Sequence, residues 1–428
     1  MKKKISLPIF AFSLFVLTAF MPNEGEGLFV QMNFNFAKLQ LNKMLSLTKD
    51  QDTQYPRTTG KCDALTTTNM YDWTSGFYAG NLWYGYQATG DEEMKKKAIL
   101  WTEKLEGLKD FKDHHDLGFM LYCSYGNAYR ITGNEKYKDI LVQGAKSLCS
   151  RFNEKTGSIK SWDVFNSWDG KTKYAYPVII DNMMNLELLF FASKVTGDPY
   201  YKKVAITHAN TVIKNQIRPD YSSYHVVCYD PLSGKVLAKE TAQGFANNST
   251  WSRGQAWGIY GFVMTYRETK DQKYLETAKK MADYYINNRQ LPKDKIPYWD
   301  FNANETGFTP GPKSHALESS INYRDASAAA ITASALLELS TYLAKDGQRY
   351  KDFAIDVLHS LSSPAYRSKV GETSGFLLKH SVGSIAHGGE IDVPLIYADY
   401  YFLEALSRYK LLLDGKNLIT GTEFSKKN

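Results

Sequence analysis

Two aspartates, one arginine and a scatter of tryptophans and histidines are the residues of this chain with the means to do chemistry. Asp116 follows His115, Asp181 ends an apolar run, and Arg253 stands between Trp251 and Trp257. Trp73, His225 and Gln243 sit in further polar or aromatic stretches. Two carboxyl groups divide acid and base work when their surroundings drive their proton affinities apart. An arginine offers a planar fork to an anionic group. An indole packs its apolar face on a pyranose ring while polar groups bond the hydroxyls. Together these residues describe a sugar site. Each has a plainer reading too. An Asp at a helix start serves as an N-cap, and His225 as a satisfied polar residue. Trp251 and Trp257 are six apart and need not share a helix face, so one of them suits a core.

The elements that must position these residues repeat along the chain. Residues 76–105, 116–148, 181–213, 253–286 and 325–361 each read as an apolar helix, a turn and an amphipathic helix. A sixth stretch, 392–412, keeps only the first helix. The turns read Thr89-Gly90-Asp91, Thr132-Gly133-Asn134, Thr196-Gly197-Asp198, Thr269-Lys270-Asp271 and Lys345-Asp346-Gly347. Glycine ends one helix and Asp or Asn caps the next. A helix apolar nearly all round is buried on both sides, whereas lysines and glutamates at helical spacing mark an outer helix. A ring of the first inside a ring of the second is an all-α (α/α)6 toroid. An open solenoid is the alternative, with less aromatic inner helices. Parallel inner helices would bring six N-termini to one mouth. There stand Asp72, Trp73, His115, Asp116, Asp181, Trp251, Arg253, Arg324, Asp325, Glu390 and Asp392.

The ends and the charge narrow the class. Lys2, Lys3 and Lys4 precede an apolar run from Ile5 to Phe20 that is short for a membrane span. Residues 1–23 therefore read as an export signal and 24–428 as a single catalytic domain, with the periplasm as the expected compartment and secretion the alternative. No stable membrane insertion is expected after the signal is removed. The formal charge of +7 falls to about +4 (7 minus 3) without those lysines. No basic run remains, which excludes a nucleic-acid partner. Cys62, Cys123, Cys149 and Cys228 show no metal-binding spacing, though export would permit a disulfide. A metal site is therefore not expected. The oligomeric state is not legible.

Five stretches carry a resemblance. They are His115-Asp116-Leu117-Gly118-Phe119, Ile179-Ile180-Asp181-Asn182 with Asn185-Leu186, Trp251-Ser252-Arg253-Gly254-Gln255-Ala256-Trp257-Gly258, Asp325-Ala326-Ser327-Ala328, and Asp399-Tyr400-Tyr401-Phe402-Leu403-Glu404-Ala405-Leu406. In this order they resemble glycoside hydrolase family 88, the unsaturated glucuronyl hydrolases. The Arg253-Gly254-Gln255-Ala256-Trp257 form differs from the Arg-Gly-Asn-Gly-Trp of the related unsaturated rhamnogalacturonyl hydrolases. The resemblance implies hydration of the C4=C5 double bond that polysaccharide lyases leave in a terminal uronate, with neither a metal nor an organic cofactor. It implies Asp181 as general acid and base and Asp116 as the second required carboxylate. It places His115, His225, Gln243, Trp251, Arg253 and Trp257 against an unsaturated uronyl oligosaccharide, with Trp73 stacking on it. An unsaturated galacturonyl or rhamnogalacturonyl hydrolase, an inverting glycosidase acting on a saturated bond and a non-catalytic sugar-binding toroid are the competing readings.

The implied chemistry sets a physical demand. An acid that protonates an enol-ether carbon must still hold its proton near neutrality, whereas a free Asp titrates at about 3.9. Burial or a second carboxylate must raise it, and a helix N-terminus would work against that. Arg253 is expected to grip the uronate carboxylate bidentately. Ser381 and Ser384 match the serines of a Ser-x-x-Ser-x-Lys motif that some members use for 6-sulfated sugars, but Ala386 holds the lysine position. Lysine at Ala386 is expected to supply a sulfate partner.

Overall fold

The structure, a computed structural model, describes residues 22–49 and 53–418. Helix α1 (Pro22–Leu47) precedes five hairpins: α2 (Ser75–Thr89) with α3 (Glu92–Glu103), α4 (Asn127–Thr132) with α5 (Glu135–Cys149), α6 (Leu186–Thr196) with α7 (Pro199–Asn215), α8 (Ser252–Thr269) with α9 (Gln272–Ile286), and α10 (Ala326–Ser340) with α11 (Gly347–Leu361). Helix α12 (Ile396–Leu413) follows. The first helices of the hairpins and α12 contact one another around a closed inner ring, in which α12 returns to α2. The toroid predicted from the repeats is the fold.

Burial follows the division read from the sequence. Every residue of α10 from Ala326 to Leu339 is buried. Helix α9 buries Tyr274, Leu275, Ala278, Met281, Ala282 and Tyr285, one face at helical spacing. The first three hairpin turns behave as expected. Gly90, Gly133 and Gly197 end their helices at φ 68°, 65° and 75°, where a side chain is strained. Asp91, Asn134 and Asp198 then cap the next helix by accepting backbone N–H groups. In the fourth turn Lys270 adopts the left-handed conformation itself at φ 58°, and Asp271 is the cap. The fifth departs from the pattern. Asp346 makes no capping bond, and Gly347 lies inside α11 with helical geometry. Glycine is needed there for approach, because a Cβ would stand 2.1 Å from the Ser340 carbonyl oxygen.

Two further departures matter for the site. The sixth unit does have an outer helix, supplied by α1 from the opposite end of the chain, which packs on α12 and α2. Gln40 of α1 ties it down, donating to the Phe376 carbonyl (2.7 Å) and the Glu372 carbonyl (3.2 Å) and accepting from the Gly371 N–H (2.7 Å). The second inner helix is also not α-helical throughout. Residues Gly118–Gly126 form a π-helical segment that runs into α4, and Ile180–Asn185 form a 3-10 segment ahead of α6. These two irregular segments meet where the Phe119 N–H donates to Asn185 Oδ1 at 3.1 Å. Irregular helical turns of this kind often mark functional positions.

The toroid is plugged at the C-terminal ends of its inner helices. Arg267 of α8 bonds Glu338 of α10 through Nη1 (3.0 Å to each oxygen) and Glu187 of α6 through Nη2. Arg408 of α12 pairs with Glu338 (3.1 Å) and donates to the Tyr260 hydroxyl (3.0 Å) and the Ser334 carbonyl (2.7 Å). Glu404 accepts from Tyr260, Tyr84 and Ser334. A cavity of about 60 Å³ lies among these side chains. Burying these charges is tolerable because each meets a partner.

The described residues include no helix long and apolar enough to cross a membrane. The expected export signal lies outside the described residues, except that Pro22 and Asn23 begin α1. The four cysteines are all free thiols.

The contacts of Gln40 yield a stability test. Gln40→Ala strands the buried Phe376 carbonyl, while the Glu372 carbonyl and Gly371 N–H lie on exposed residues that water can reach. An unpaired buried group costs about 1–3 kcal/mol. The expected result is a lower urea midpoint by that order, with any enzymatic KM unchanged.

Candidate active site

Strand register brings the first pair of site residues together. Strand Pro177–Ile179 pairs antiparallel with Val226–Tyr229, placing Ile179 opposite Val226. The next residues in each direction, Ile180 and His225, share the bond from the Ile180 N–H to the His225 carbonyl at 3.0 Å. Asp181 follows at once, so His225 Nε2 lies 3.7 Å from its Oδ2. The third strand, Val236–Glu240, turns its chain back over the imidazole. His225 Nδ1 accepts from the Ala242 and Gln243 N–H groups, both at 3.2 Å. With Nδ1 an acceptor, the proton of the neutral ring sits on Nε2, the nitrogen that faces Asp181. Burial, reinforced by Arg253 and His387, pushes the His225 pKa well below its usual value, so the ring stays neutral.

Asp181 caps no helix. It lies in the 3-10 segment, whose N-terminus has no side-chain cap, and its Oδ2 has no hydrogen-bond partner. Burial pushes its carboxyl up to about 7, with Arg253 opposing and Asp116 adding to the rise. Asp116 is treated differently by its neighbours. Its Oδ1 lies 3.2 Å from His115 Nε2 and its Oδ2 lies 3.3 Å from His114 Nδ1. Burial raises this carboxyl too, but His115 and His114 more than offset it, and the group ends below the ordinary carboxylate value. Near neutrality one carboxyl holds its proton and the other is ionised. That is the division of labour acid–base chemistry requires.

Arg253 is buried and already engaged. Nη1 donates to Asp325 Oδ2 (3.1 Å) and the Val382 carbonyl, and Nη2 donates to the Gly383 carbonyl at 2.7 Å. These bonds occupy Nη1 twice and Nη2 once, so the edge formed by Nε and Nη2 keeps the donors that a bidentate grip on a carboxylate would use. Nε has no partner. The guanidinium lies 4.4 Å over Trp251, which in turn stacks on His225 with ring centroids 4.4 Å apart. Asp325 caps α10 through the Ser327 and Ala328 N–H groups, the role the sequence allowed it.

A cleft of about 800 Å³ opens at this mouth, with Trp73, Gln243, Ser384, Tyr397, Trp162 and Trp168 in its walls. The two carboxyls do not line it themselves. Asp181 stands behind Gln243, through His225, and both aspartates keep about 8% of their surface exposed. Trp257 is fully buried between Phe119 and Tyr401. It still leaves an unpartnered indole N–H, as does Trp251. His115 Nε2 and the Ser381 and Tyr397 hydroxyls are likewise buried without a hydrogen-bond partner. Buried donors and acceptors cost energy when unpaired, and these lie behind the wall of the cleft.

Some expectations change. Ser384 bonds the His387 ring at 2.7 Å. Ala386 is fully buried and its carbonyl accepts from the His315 N–H at 3.1 Å, so a lysine there has no space to reach a sulfate. Arg324 turns away to Asp294 at 2.9 Å, and Asp392 bonds His380 at 2.7 Å. Sequence reasoning missed His114, Arg57, Trp162, Trp168 and Tyr397. Only His114 had a signal, since it directly precedes the His115-Asp116 pair.

The family model described as "Glycosyl Hydrolase Family 88" matches residues 46–425. An unsaturated glucuronyl hydrolase of Formosa agariphila is 49% identical over 345 residues, 80% of this chain and 81% of the relative. An unsaturated chondroitin disaccharide hydrolase of Streptococcus agalactiae is 36% identical over 345 residues, 79% of this chain and 81% of the relative. Among solved structures, an unsaturated glucuronyl hydrolase specific for heparin superposes with TM-score 0.82 at 46% identity, covering 91% of this chain and 99% of that one.

The raised Asp181 pKa predicts a stability effect. The folded chain holds this proton up to about 7, whereas the unfolded chain releases it near about 3.9. Folding therefore takes up a proton between those values, and stability from this group falls as pH rises through that window. Asp181→Asn removes the penalty. The expected result is a higher Tm than wild type at pH 8, with the gain fading toward pH 4, by calorimetry at both pH values.

Proposed function

This chain belongs to glycosyl hydrolase family 88, and on that footing we propose that it removes the terminal 4,5-unsaturated uronate from lyase-generated oligosaccharides, with Asp181 as the acid. The observation that carries the reading is the pair of unlike carboxyls: Asp181 held protonated to about 7 and Asp116 ionised beside two imidazoles. Asp181 delivers its proton to C4 of the enol ether. Positive charge develops at C5 and is quenched by water, whose proton returns to the Asp181 carboxylate. The C5 hemiketal opens by breaking its bond to the ring oxygen, leaving a ketone at C5 and a hemiacetal at C1. The hemiacetal then expels the remaining sugar. The neutral His225 Nε2–H faces Asp181 and steadies its carboxylate after proton transfer. Asp116 keeps the proton affinity of Asp181 high, because a second charge nearby disfavours ionisation.

Relatives named for chondroitin disaccharide and for heparin support a glycosaminoglycan disaccharide as the substrate class. Arg253 acts as a fixed positive neighbour, and its free Nε–H remains available to an anionic substrate. Three lysines followed by an apolar run at the N-terminus support export to the periplasm.

The test is loss of the double-bond ultraviolet absorbance with a panel of unsaturated disaccharides from chondroitin, hyaluronan and heparin. Asp181→Asn should keep the fold and lose about 10²–10⁴-fold in kcat, the usual contribution of a positioned acid–base group. Wild-type kcat/KM should decline as pH rises past about 7, as Asp181 loses its proton. Retention of more than about a tenth of the wild-type rate would assign the proton transfer elsewhere.

A further inference from the structure

The N-terminal strand Tyr55–Thr59 carries Arg57, which stands in the wall of the cleft yet belongs to none of the sequence motifs. Its Nε and Nη2 bond the two oxygens of Glu390 at 2.6 and 3.0 Å, and its Nη1 bonds Asp72 Oδ2. Glu390 lies in the hairpin formed by Ser381–Ser384 and Gly389–Val393, more than three hundred residues away in sequence. Asp72 directly precedes Trp73 and also accepts from the Thr74 N–H at 2.9 Å. The same strand reaches the hairpin's end, where Thr58 Oγ1 donates to the Pro394 carbonyl at 2.6 Å.

We propose that Arg57 is a positioning residue that clasps the C-terminal hairpin to the opposite rim of the mouth and so sets the geometry of Arg253 and Gln243. The hairpin presents the Val382 and Gly383 carbonyls to Arg253, and Gly383 also accepts from Gln243 Nε2 at 3.2 Å. Glu390 is packed directly on that segment: a Cβ at Gly383 would stand 2.3 Å from Glu390 Oε2. Moving Glu390 therefore moves the carbonyls that hold Arg253.

Two features argue for a clasp over an anion receptor. Two carboxylates already neutralise the guanidinium, with three of its nitrogens engaged. The hairpin is also strained. His380, Glu390 and Asp392 are non-glycine residues at φ 59°, 54° and 58°, a conformation that persists only where surrounding contacts enforce it. A bidentate pair is the geometry with the strength to enforce it. Its side chains are 25% and 19% exposed, sheltered enough to escape most of the screening that weakens surface pairs.

The inference rests on the proposed function only for its kinetic arm. Arg57→Met and Glu390→Gln should each raise KM for an unsaturated chondroitin disaccharide about tenfold, with kcat within about threefold. The reason is that the hairpin lines the cleft directly at Gly383 and Ser384 and acts on Asp181 only indirectly, through Arg253. The double variant should be no worse than Arg57→Met, since both changes open one clasp. Arg57→Lys should recover only part of the loss, because the fork is missing. Hydrogen exchange of residues 381–393 should rise about tenfold in both single variants while α10 stays protected. Should Arg57→Met not fold, Glu390→Gln carries the same readings. Unchanged exchange in the hairpin, multiplying KM effects or a fall in kcat alone would overturn the clasp. A wild-type protein inactive on every disaccharide overturns the proposed function instead, and hairpin exchange then decides the clasp by itself.

Discussion

Desolvation of one carboxyl is the constraint on which the rest of this molecule turns. Asp181 stays protonated to about 7 because water is kept from it, and the opposing charge of Arg253 does not outweigh that burial. A rigid ring is needed to achieve this. A carboxyl on a mobile loop would find water, and a carboxyl capping a helix would be ionised by the dipole. The structure avoids both by setting Asp181 in a short 3-10 segment fed by a strand and pinned by its register to His225. Arg253 is close enough to be felt and is prevented from dominating, since Asp325 and two carbonyls already share its donors.

Closure of the ring depends on the chain's two ends meeting. Helix α12 would expose its outer flank without α1, and Gln40 fixes α1 to the segment that leads toward the mouth. The strand after α1 then brings Arg57 and Thr58 to the hairpin that supports Arg253. Sequence-distant contacts thus complete a site whose central residues are read from short motifs. The cost is loop-closure entropy over nearly the whole chain, which only the large shared core can offset.

The toroid, the inner and outer helices and the two aspartates were legible because each rests on local pattern. Helical periodicity needs one helix, a Thr-Gly-Asp turn needs three residues, and the motif around Asp181 needs six. What remained hidden is what depends on pairing across the fold. Nothing near Pro22–Leu47 announces that it partners α12. Arg57 sits alone in its stretch and acquires meaning only beside Glu390. The π-helical turn over Gly118–Gly126 keeps the same apolar composition as an α-helix, so periodicity could not expose it. Arg253 was legible as a residue but its bonds to Asp325, Val382 and Gly383 were not, since a sequence cannot say which donors the protein itself consumes.

The two ends of the ring show how one architecture serves stability and function separately. At the plugged end, Arg267, Arg408, Glu338 and Glu404 are buried, and none of their fully buried polar atoms is left without a partner. At the open end, Asp181, His115, His225, Arg253, Trp251, Trp257 and Tyr397 each leave a buried polar atom unpaired. Both sets sit on the same inner helices or on segments leading into them, so a difference in scaffold does not explain the contrast. Unpaired buried groups oppose folding, and a fold can carry them only where the rest of its core supplies the stability. The plugged end, with its ion pairs meshed between helices, holds the ring together while the mouth keeps donors and acceptors in reserve for the sugar. A ligand that reached these groups would meet donors and acceptors already held in place, which is the condition for preorganised catalysis.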